Sequence, residues 1–142
     1  MWLNYYLKNY LQNKNAQNLL QERYELPLMI VENGIGLHEH EEADGMIHDD
    51  ARIEYFANHI TEMKKAVELD GVTLIGYCPW GPIDLVSAGT GEMEKRYGFI
   101  YVDKNNKGEG TLDRKPKKSY YWYKRVIETN GENLSKEIDV PV

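Results

Sequence analysis

Two short apolar runs, each followed by a loop and a helical pattern, constrain the fold of this chain most. The first run is Leu26–Val31, which leads directly into Glu32, and the second is Val72–Tyr77. Continuous apolar runs of this length, bounded by polar or glycine-containing segments, are typical of strands that are buried on both faces of a parallel sheet. We therefore predict two such strands.

A helix is predicted after each strand. Residues 51–69 follow Asp49 or Asp50, either of which can serve as the N-cap. Apolar side chains recur there at helical spacing: Ile53, Phe56, Ala57, Ile60, Met63, Ala66 and Val67. Residues 116–129 form the second predicted helix, with the following side chains directed inward: Tyr120, Tyr123, Val126 and Ile127.

The order strand, loop, helix occurs twice and indicates two β/α units of a parallel α/β fold. A closed eight-stranded barrel of such units takes roughly 250 residues, whereas the chain has 142. We predict one partial domain, with a helical lead-in at 1–24 that is interrupted near Asn13–Asn18, a body at 25–134 and a loose tail at 135–142. A short strand at Phe99–Val102 and a turn near residues 105–110 complete the prediction.

Composition limits the function classes. The formal net charge is −6 and the isoelectric point is near 5.2, which argues against a nucleic-acid partner. Eleven tyrosines and three tryptophans suit stacking on sugar rings, although such residues also fill half-buried positions. Cys78 is the only cysteine, so a reducing compartment is expected. With no leader and no bilayer-length apolar run recognised, we predict a soluble, cytoplasmic protein without a membrane partner.

Cofactor and metal sites are not predicted. A nucleotide-binding α/β domain would need a glycine-rich strand-to-helix turn, and the sequence has none. His38, His40 and His48 lie in an acidic loop, but their spacing fits no zinc pattern. We therefore expect these three histidines to be exposed loop residues.

Glu32 is the first candidate for catalysis. It stands at the carboxyl end of a predicted strand, which is where barrel enzymes place their catalytic groups. A carboxylate there can attack an anomeric carbon, the first step of retaining glycoside hydrolysis. Glu-Asn-Gly is also a common way to end a strand, so the residue pattern alone leaves both interpretations open.

The segment Pro27–Gly34 resembles the nucleophile segment of glycoside hydrolase family 1. Further segments resemble that family in the same order: Asp49–Tyr55, Trp80, Arg96–Asp103 and Lys117–Tyr123. The resemblance covers about residues 20–134 and implies the C-terminal part of a (β/α)8 TIM barrel, incomplete as an isolated chain. The first twenty residues are expected to depart from the family.

The resemblance implies a retaining hydrolase in which Glu32 is the nucleophile and Trp80 packs under the sugar. Family members that act on unphosphorylated sugars typically carry a Glu-Trp pair where this chain has Ser87 and Ala88. A carboxylate there would repel a sugar 6-phosphate, so its replacement by a hydroxyl removes a like-charge penalty.

Lys95 and Tyr97 resemble the phosphate-binding pair of the 6-phospho-β-glucosidase branch, in which an ammonium supplies charge and a phenol supplies a directed donor. Ser87 is the candidate third ligand, although relatives sometimes carry a serine where this chain has Gly89. Galactosidases of the 6-phospho type tend to have a tryptophan at the position of Ala88, so alanine favours the gluco epimer.

The resemblance also shows what the chain lacks. The family's acid/base glutamate lies in an Asn-Glu-Pro motif that does not occur here, and retaining chemistry needs two carboxyl groups about 5 Å apart. We therefore predict hydrolysis of 6-phospho-β-D-glucosides only when an N-terminal barrel portion completes the site, with the chain alone inactive or nearly so. A homo-oligomer is the other partner considered. The alternative is a non-catalytic remnant that binds sugar phosphate or self-associates.

Overall fold

The computed structural model describes residues 14–140, with three helices and six strands. The helices are α1 at 14–24, α2 at Asp50–Glu68 and α3 at Lys118–Glu128. The strands are β1 Leu28–Asn33, β2 Leu37–His38, β3 Leu74–Pro79, β4 Lys95–Arg96, β5 Ile100–Val102 and β6 Arg114–Pro116. Within this described range, no helix combines the length and the apolar character needed to cross a membrane.

Two compact units make up the chain. Unit 1 contains residues up to Glu32 together with Phe56–Cys78, and unit 2 contains Asn33–Tyr55 together with the residues from Pro79 onward. The polypeptide therefore passes from one unit to the other immediately after Glu32, within α2 and at the end of β3.

The sheet formed by β1 and β3 is the β-α-β element predicted from the apolar runs. At its beginning, the Leu28 N–H donates to the Thr73 carbonyl at 2.8 Å, and at its end the Trp80 N–H donates to the Asn33 carbonyl at 2.6 Å. Since the two starts and the two ends are paired, the strands run parallel, as strands joined by a crossover helix must.

The expectation that both strands are buried on both faces is wrong. In β1, Met29 and Val31 are 50% and 72% exposed, and in β3 Ile75 is 69% exposed. Two strands alone cannot cover the second face of a sheet, which in a closed barrel is covered by the other strands and by the filled interior. Burial of both faces of these two strands would therefore require further β/α units of the barrel.

In α1 and α2 the helical periodicity is only partly confirmed. Helix α1 continues through residues 14–18, so the interruption predicted there is absent from its described part, while residue 13 lies outside the described residues. Most of the predicted stripe of α2 is buried, but Met63 is half-buried and Val67 is exposed. Asp49, just before α2, accepts the Arg52 and Ile53 N–H groups with its carbonyl.

Unit 2 is built from very short strands. Strands β2 and β4 pair antiparallel with Leu37 opposite Arg96, and β5 and β6 form an antiparallel hairpin with Ile100 opposite Pro116. Only β5 was predicted, because strands of two or three residues are too short to display an alternating pattern. Residue Pro116, predicted to begin a helix, belongs to β6.

The predicted inward face of helix α3 is partly confirmed, at Val126 and at Tyr123, whose ring stacks on Phe99 with 4.8 Å between the ring centres. Ser119, Trp122 and Val126 are buried, whereas Tyr120 and Ile127 are exposed. The buried Trp122 indole donates to the Ser135 carbonyl at 2.8 Å. The chain after α3 is therefore attached to the helix at this point.

Candidate functional site

Lys95 and Tyr97 lie together at strand β4. Lys95 belongs to β4 and Tyr97 directly follows that strand, and the Lys95 Nζ lies 5.8 Å from the centre of the Tyr97 ring. Both residues are half-buried. Among residues 14–140, the Lys95 ammonium forms no ion pair. The pair therefore presents an unneutralised cation beside a phenol.

Gly36 packs directly against this pair. A Cβ atom at position 36 would lie 2.8 Å from the Lys95 Cγ and 2.8 Å from the Tyr97 Cζ, which is closer than real Cβ contacts allow. The absence of a side chain at Gly36 thus makes room for the side chains of Lys95 and Tyr97.

Ser87 lies in a tight loop. Its N–H donates to the Glu92 carbonyl at 2.9 Å, and its carbonyl accepts the Gly91 N–H at 2.8 Å. The side chain is buried, and within the described part of the chain its hydroxyl has no hydrogen-bond partner. Buried polar groups are rarely left unpaired, so this hydroxyl is available to a group that the described residues do not supply. Gly89, in the same loop, has open space where a side chain would be.

Trp80 is half-buried immediately after β3. The Trp80 N–H donates a hydrogen bond to the Asn33 carbonyl. A Cβ atom at Gly34 would lie 3.0 Å from the Trp80 Cβ. The Asn33 amide in turn donates to the Tyr55 hydroxyl at 3.2 Å. The backbone that follows Glu32 is therefore fixed against the backbone that carries Trp80.

Glu32 is the next-to-last residue of β1 and its side chain is exposed. Within residues 14–140 its carboxylate forms no ion pair or hydrogen bond. Glu32 belongs to unit 1, whereas Trp80, Ser87, Lys95 and Tyr97 belong to unit 2. Within unit 2, the Lys95 ammonium and the Tyr97 ring lie side by side.

A buried chain of ion pairs in unit 2 is the main feature that the sequence did not reveal. Its first half is centred on Arg52, whose Nε donates to Asp49 at 2.9 Å and whose Nη2 donates to Glu39 at 2.6 Å. The carboxylate of Asp49 also accepts the N–H of Ser119 at 2.8 Å and its hydroxyl. The Asp49 side chain thus binds Arg52 and Ser119 and does not cap α2.

The second half of the buried ion chain runs through Lys117, whose ammonium donates to Glu39 and, at 2.8 Å, to Asp84. Asp84 also accepts the Arg96 Nη1–H at 3.2 Å and the Gly98 N–H at 2.9 Å. Three carboxylates thus match three cations, as buried charges require. Burial raises the pKa of the Glu39 carboxyl, against the opposing effect of its two cationic partners.

A sequence signal for part of this chain existed. Asp84 stands inside the apolar segment 82–86, where a lone carboxylate suggests a buried partner. Asp49 and Arg52 are three positions apart at the start of α2, a spacing at which opposite charges on a helix can pair. Nothing in the sequence joins Glu39 to Lys117, since the two are 78 positions apart.

The three histidines do not form a metal site in the described range, where no three His, Cys, Asp or Glu side chains are placed to hold a metal ion. His38 and His40 are exposed and line a polar cavity of about 380 Å³. His48 pairs with Asp44 at 2.7 Å. This hydrogen bond raises the pKa of His48 and lowers that of Asp44.

Comparison with known proteins places this geometry in context. The sequence model of glycosyl hydrolase family 1 matches residues 5–132, so the similarity begins earlier than the segment near residue 20 where it was recognised. The chain is 57% identical over 119 residues to a phospho-cellobiase of Klebsiella oxytoca, covering 84% of this chain and 25% of that protein. It is 59% identical over 117 residues to an aryl-phospho-β-D-glucosidase of Bacillus subtilis, covering 82% and 25%.

Among solved structures, a β-glucosidase from Thermotoga maritima is 34% identical and superposes with a TM-score of 0.76, covering 85% of this chain and 26% of that one. The chain therefore spans about a quarter of the length of the relatives it matches. Its fold is that of a part of the family's barrel, as the apolar runs and the resemblance predicted.

Proposed function

Because the chain belongs to glycosyl hydrolase family 1, we propose that it supplies the nucleophile and the phosphate-binding residues for hydrolysis of 6-phospho-β-D-glucosides. The two curated relatives described above are named phospho-cellobiase and aryl-phospho-β-D-glucosidase, and both names refer to phosphorylated β-glucosides as substrates. The observation that carries the proposal is the pairing of Lys95 with Tyr97 over Gly36, with the cation free of any carboxylate in the described range.

In the proposed reaction the Glu32 carboxylate attacks the anomeric carbon. A bond forms between a Glu32 oxygen and C1, the glycosidic C1–O bond breaks, and the leaving oxygen takes a proton from an acid outside this chain. Water then attacks C1 from the opposite side, loses a proton to the same group and releases Glu32. Two inversions give overall retention of configuration.

The proposed phosphate site uses three kinds of group. The Lys95 ammonium supplies charge and the Tyr97 hydroxyl donates a directed hydrogen bond, and both interactions strengthen against a dianion. Ser87, whose buried hydroxyl has no partner in the described range, is the proposed third donor, which requires the loop at residues 87–92 to open toward the ligand.

Sugar recognition is proposed for Trp80 and Ala88. A half-buried indole after β3 offers a flat apolar face to a pyranose ring. Alanine at position 88 favours a gluco configuration, in agreement with the names of the two curated relatives.

A binding experiment tests the phosphate site without requiring catalysis. We expect the chain to bind glucose 6-phosphate more tightly than glucose, and Lys95→Ala to weaken phosphate-dependent binding about ten-fold or more, because a charge-assisted hydrogen bond is lost. Lys104→Ala is the matched control, since Lys104 is another half-buried lysine of unit 2 without an ion pair in the described range. Equal losses in the two variants would contradict the proposed site.

An activity experiment tests the nucleophile. The chain is assayed on a chromogenic 6-phospho-β-glucoside, alone and co-expressed with the N-terminal barrel portion of a relative. We expect turnover only with the complement, and a loss of about 10⁴-fold or more in Glu32→Gln. Glu54→Gln, at an exposed glutamate on α2, is the control.

Sugar-phosphate binding without catalysis is the second candidate function. It is favoured by the location of Lys95, Tyr97 and Ser87, which all lie in unit 2. Specific phosphate binding combined with no turnover under complementation would support it. Turnover by the chain alone would show that the missing acid is not required.

A further inference from the structure

Every N–H group of the Arg52 guanidinium donates to a partner within unit 2. The guanidinium has five donors, and they bind five acceptors at 2.6–3.0 Å. Two acceptors are the carboxylates of Asp49 and Glu39, and the side chain has no exposed surface. Arg52 therefore cannot contact a ligand in this structure, and its charge is neutralised where it lies.

The other three acceptors are backbone carbonyls. Nη1 donates to Ile35 at 2.8 Å and to Tyr97 at 2.7 Å, and Nη2 donates to Arg96 at 3.0 Å. One guanidinium plane thus joins the segment before β2 to the segment that carries the Lys95–Tyr97 pair.

These two segments are the ones whose separation matters. Gly36 follows Ile35 and lies against both Lys95 and Tyr97, with no room for even a Cβ atom. A change of a few tenths of an ångström between the segments would alter the direction of both side chains. The pairing of β2 with β4 adds only two residue pairs to hold them.

From this geometry we propose that Arg52 is a positioning residue for the phosphate-binding pair, an inference that rests on the phosphate site proposed above. The guanidinium fixes the distance between the backbone at Ile35 and the backbone at Arg96 and Tyr97, and Gly36 transmits that distance to the two side chains. The role depends on the planar five-donor shape of the guanidinium. A lysine at position 52 keeps the positive charge but has three donors on a single atom, so it cannot reproduce it.

A double-mutant cycle tests this role by glucose 6-phosphate binding. We expect Arg52→Lys to weaken binding about ten-fold, because the geometry of a charge-assisted hydrogen bond is lost. In the Lys95→Met background the same substitution should have almost no further effect. Arg125→Lys is the matched control, since Arg125 also binds two backbone carbonyls of unit 2, those of Ser135 and Glu137. Additive losses at Arg52 and Lys95 would overturn the proposal.

A ligand-independent measurement separates failure of this inference from failure of the proposed function. In the wild-type chain, NMR should resolve separate Arg52 Nη–H signals, because all five donors are held, and should show NOEs from the Gly36 Hα atoms to the Tyr97 ring. Loss of those NOEs in Arg52→Lys, with the remaining amide spectrum retained, supports positioning even if glucose 6-phosphate does not bind. Averaged Nη–H signals in the wild type, or unchanged NOEs in a folded Arg52→Lys variant, would overturn it.

Discussion

The buried charges of unit 2 contrast with the exposed apolar side chains in the sheet of unit 1. Unit 2 buries Arg52 and Lys117 completely, yet both cations find carboxylates within the unit. Unit 1 leaves the apolar side chains of Val31 and Ile75 largely in solvent. The comparison shows that unit 2 pairs its buried charges with its own residues, whereas two strands are too few to cover the apolar side chains of the sheet in unit 1.

This difference matters for function because the proposed phosphate-binding pair, Lys95 and Tyr97, lies in unit 2, where the buried charges are paired within the unit. The buried ion chain fixes the backbone around Lys95 and Tyr97 from residues of unit 2 alone. Glu32, by contrast, stands on β1, whose single strand partner among the described residues is β3. Phosphate recognition should therefore be more robust to the absence of the remaining barrel than catalysis.

The largest predicted effect comes from breaking the buried ion chain. Asp84→Ala removes the carboxylate that Lys117 and Arg96 share, so that Arg96 loses its ion pair while Lys117 keeps only Glu39, and one buried positive charge is in excess. Such a loss costs about 3–5 kcal/mol in the free energy of unfolding. Urea unfolding of the wild type and the variant measures this difference.

Glu54→Ala is the control for that prediction, because Glu54 pairs with Lys136 on the surface at 2.9 Å. An exposed pair contributes about 0–1 kcal/mol. Similar losses in Asp84→Ala and Glu54→Ala would show that the interior of unit 2 is not as closed as described.

A smaller effect is predicted at Gly36. The added methyl group of Gly36→Ala must displace Lys95 and Tyr97, and overpacking of this kind costs about 1–3 kcal/mol. We also expect glucose 6-phosphate affinity to fall about ten-fold through the misdirected ammonium. For the free energy of unfolding, Gly89→Ala is the control, since a methyl group there meets open space. Unchanged affinity in Gly36→Ala would remove Gly36 from the proposed arrangement.

On the other side of the comparison, the exposed face of unit 1 should tolerate polar substitution. Ile75→Thr should change the free energy of unfolding by no more than about 0.5 kcal/mol. The same replacement at Ile60, which is buried in α2, should cost about 2 kcal/mol through lost packing and a buried hydroxyl. Equal costs would mean that the sheet face is covered in solution.

Ile75→Thr also tests whether the exposed apolar face of unit 1 causes the chain to self-associate. Large exposed apolar patches promote association, so the chain is expected to self-associate in sedimentation experiments and Ile75→Thr to reduce that tendency. A wild-type chain that sediments as a stable monomer at high concentration would count against the incomplete-barrel interpretation.

The sequence predicted the long elements because their patterns are long. Two apolar runs and a 19-residue amphipathic helix carry enough positions to reveal strand and helix, and the glycoside hydrolase motifs fix their order. Strands β2, β4 and β6 have two or three residues each and cannot show a period. The predicted face of α3 was wrong at Tyr120 and Ile127, because the buried face is centred on Trp122 and Val126.

The candidate site divides in the same way. Lys95 and Tyr97 were predicted to act together, and they are close in sequence, with Lys95 in β4 and Tyr97 directly after that strand. Gly36 and Glu39 could not be found, since their roles arise only when distant segments meet. The exposure of Val31 was not predicted either, because an apolar run indicates the burial that the strand has in a complete barrel, and two strands do not provide it.

The smallest predicted effect concerns an exposed ion pair of unit 2, His48 with Asp44. The hydrogen bond between them raises the pKa of His48 above its ordinary value of 6.5 and lowers that of Asp44 below 3.8. Stabilisation from His48 is fully present below pH 6.5 and is lost as pH rises through its folded pKa. Stabilisation from Asp44 is present above pH 3.8 and is lost as pH falls through its folded pKa.

The pair should therefore be strongest between pH 3.8 and 6.5, and NMR titration of the His48 ring measures it. Asp44→Asn should return the pKa of His48 toward 6.5, whereas Glu42→Gln, which removes only a weaker charge effect, should lower it less. If Asp44→Asn leaves the titration unchanged, the hydrogen bond is not formed in solution. Because both side chains are solvent-exposed, we expect no measurable effect on phosphate binding, in contrast to the buried ion chain of the same unit.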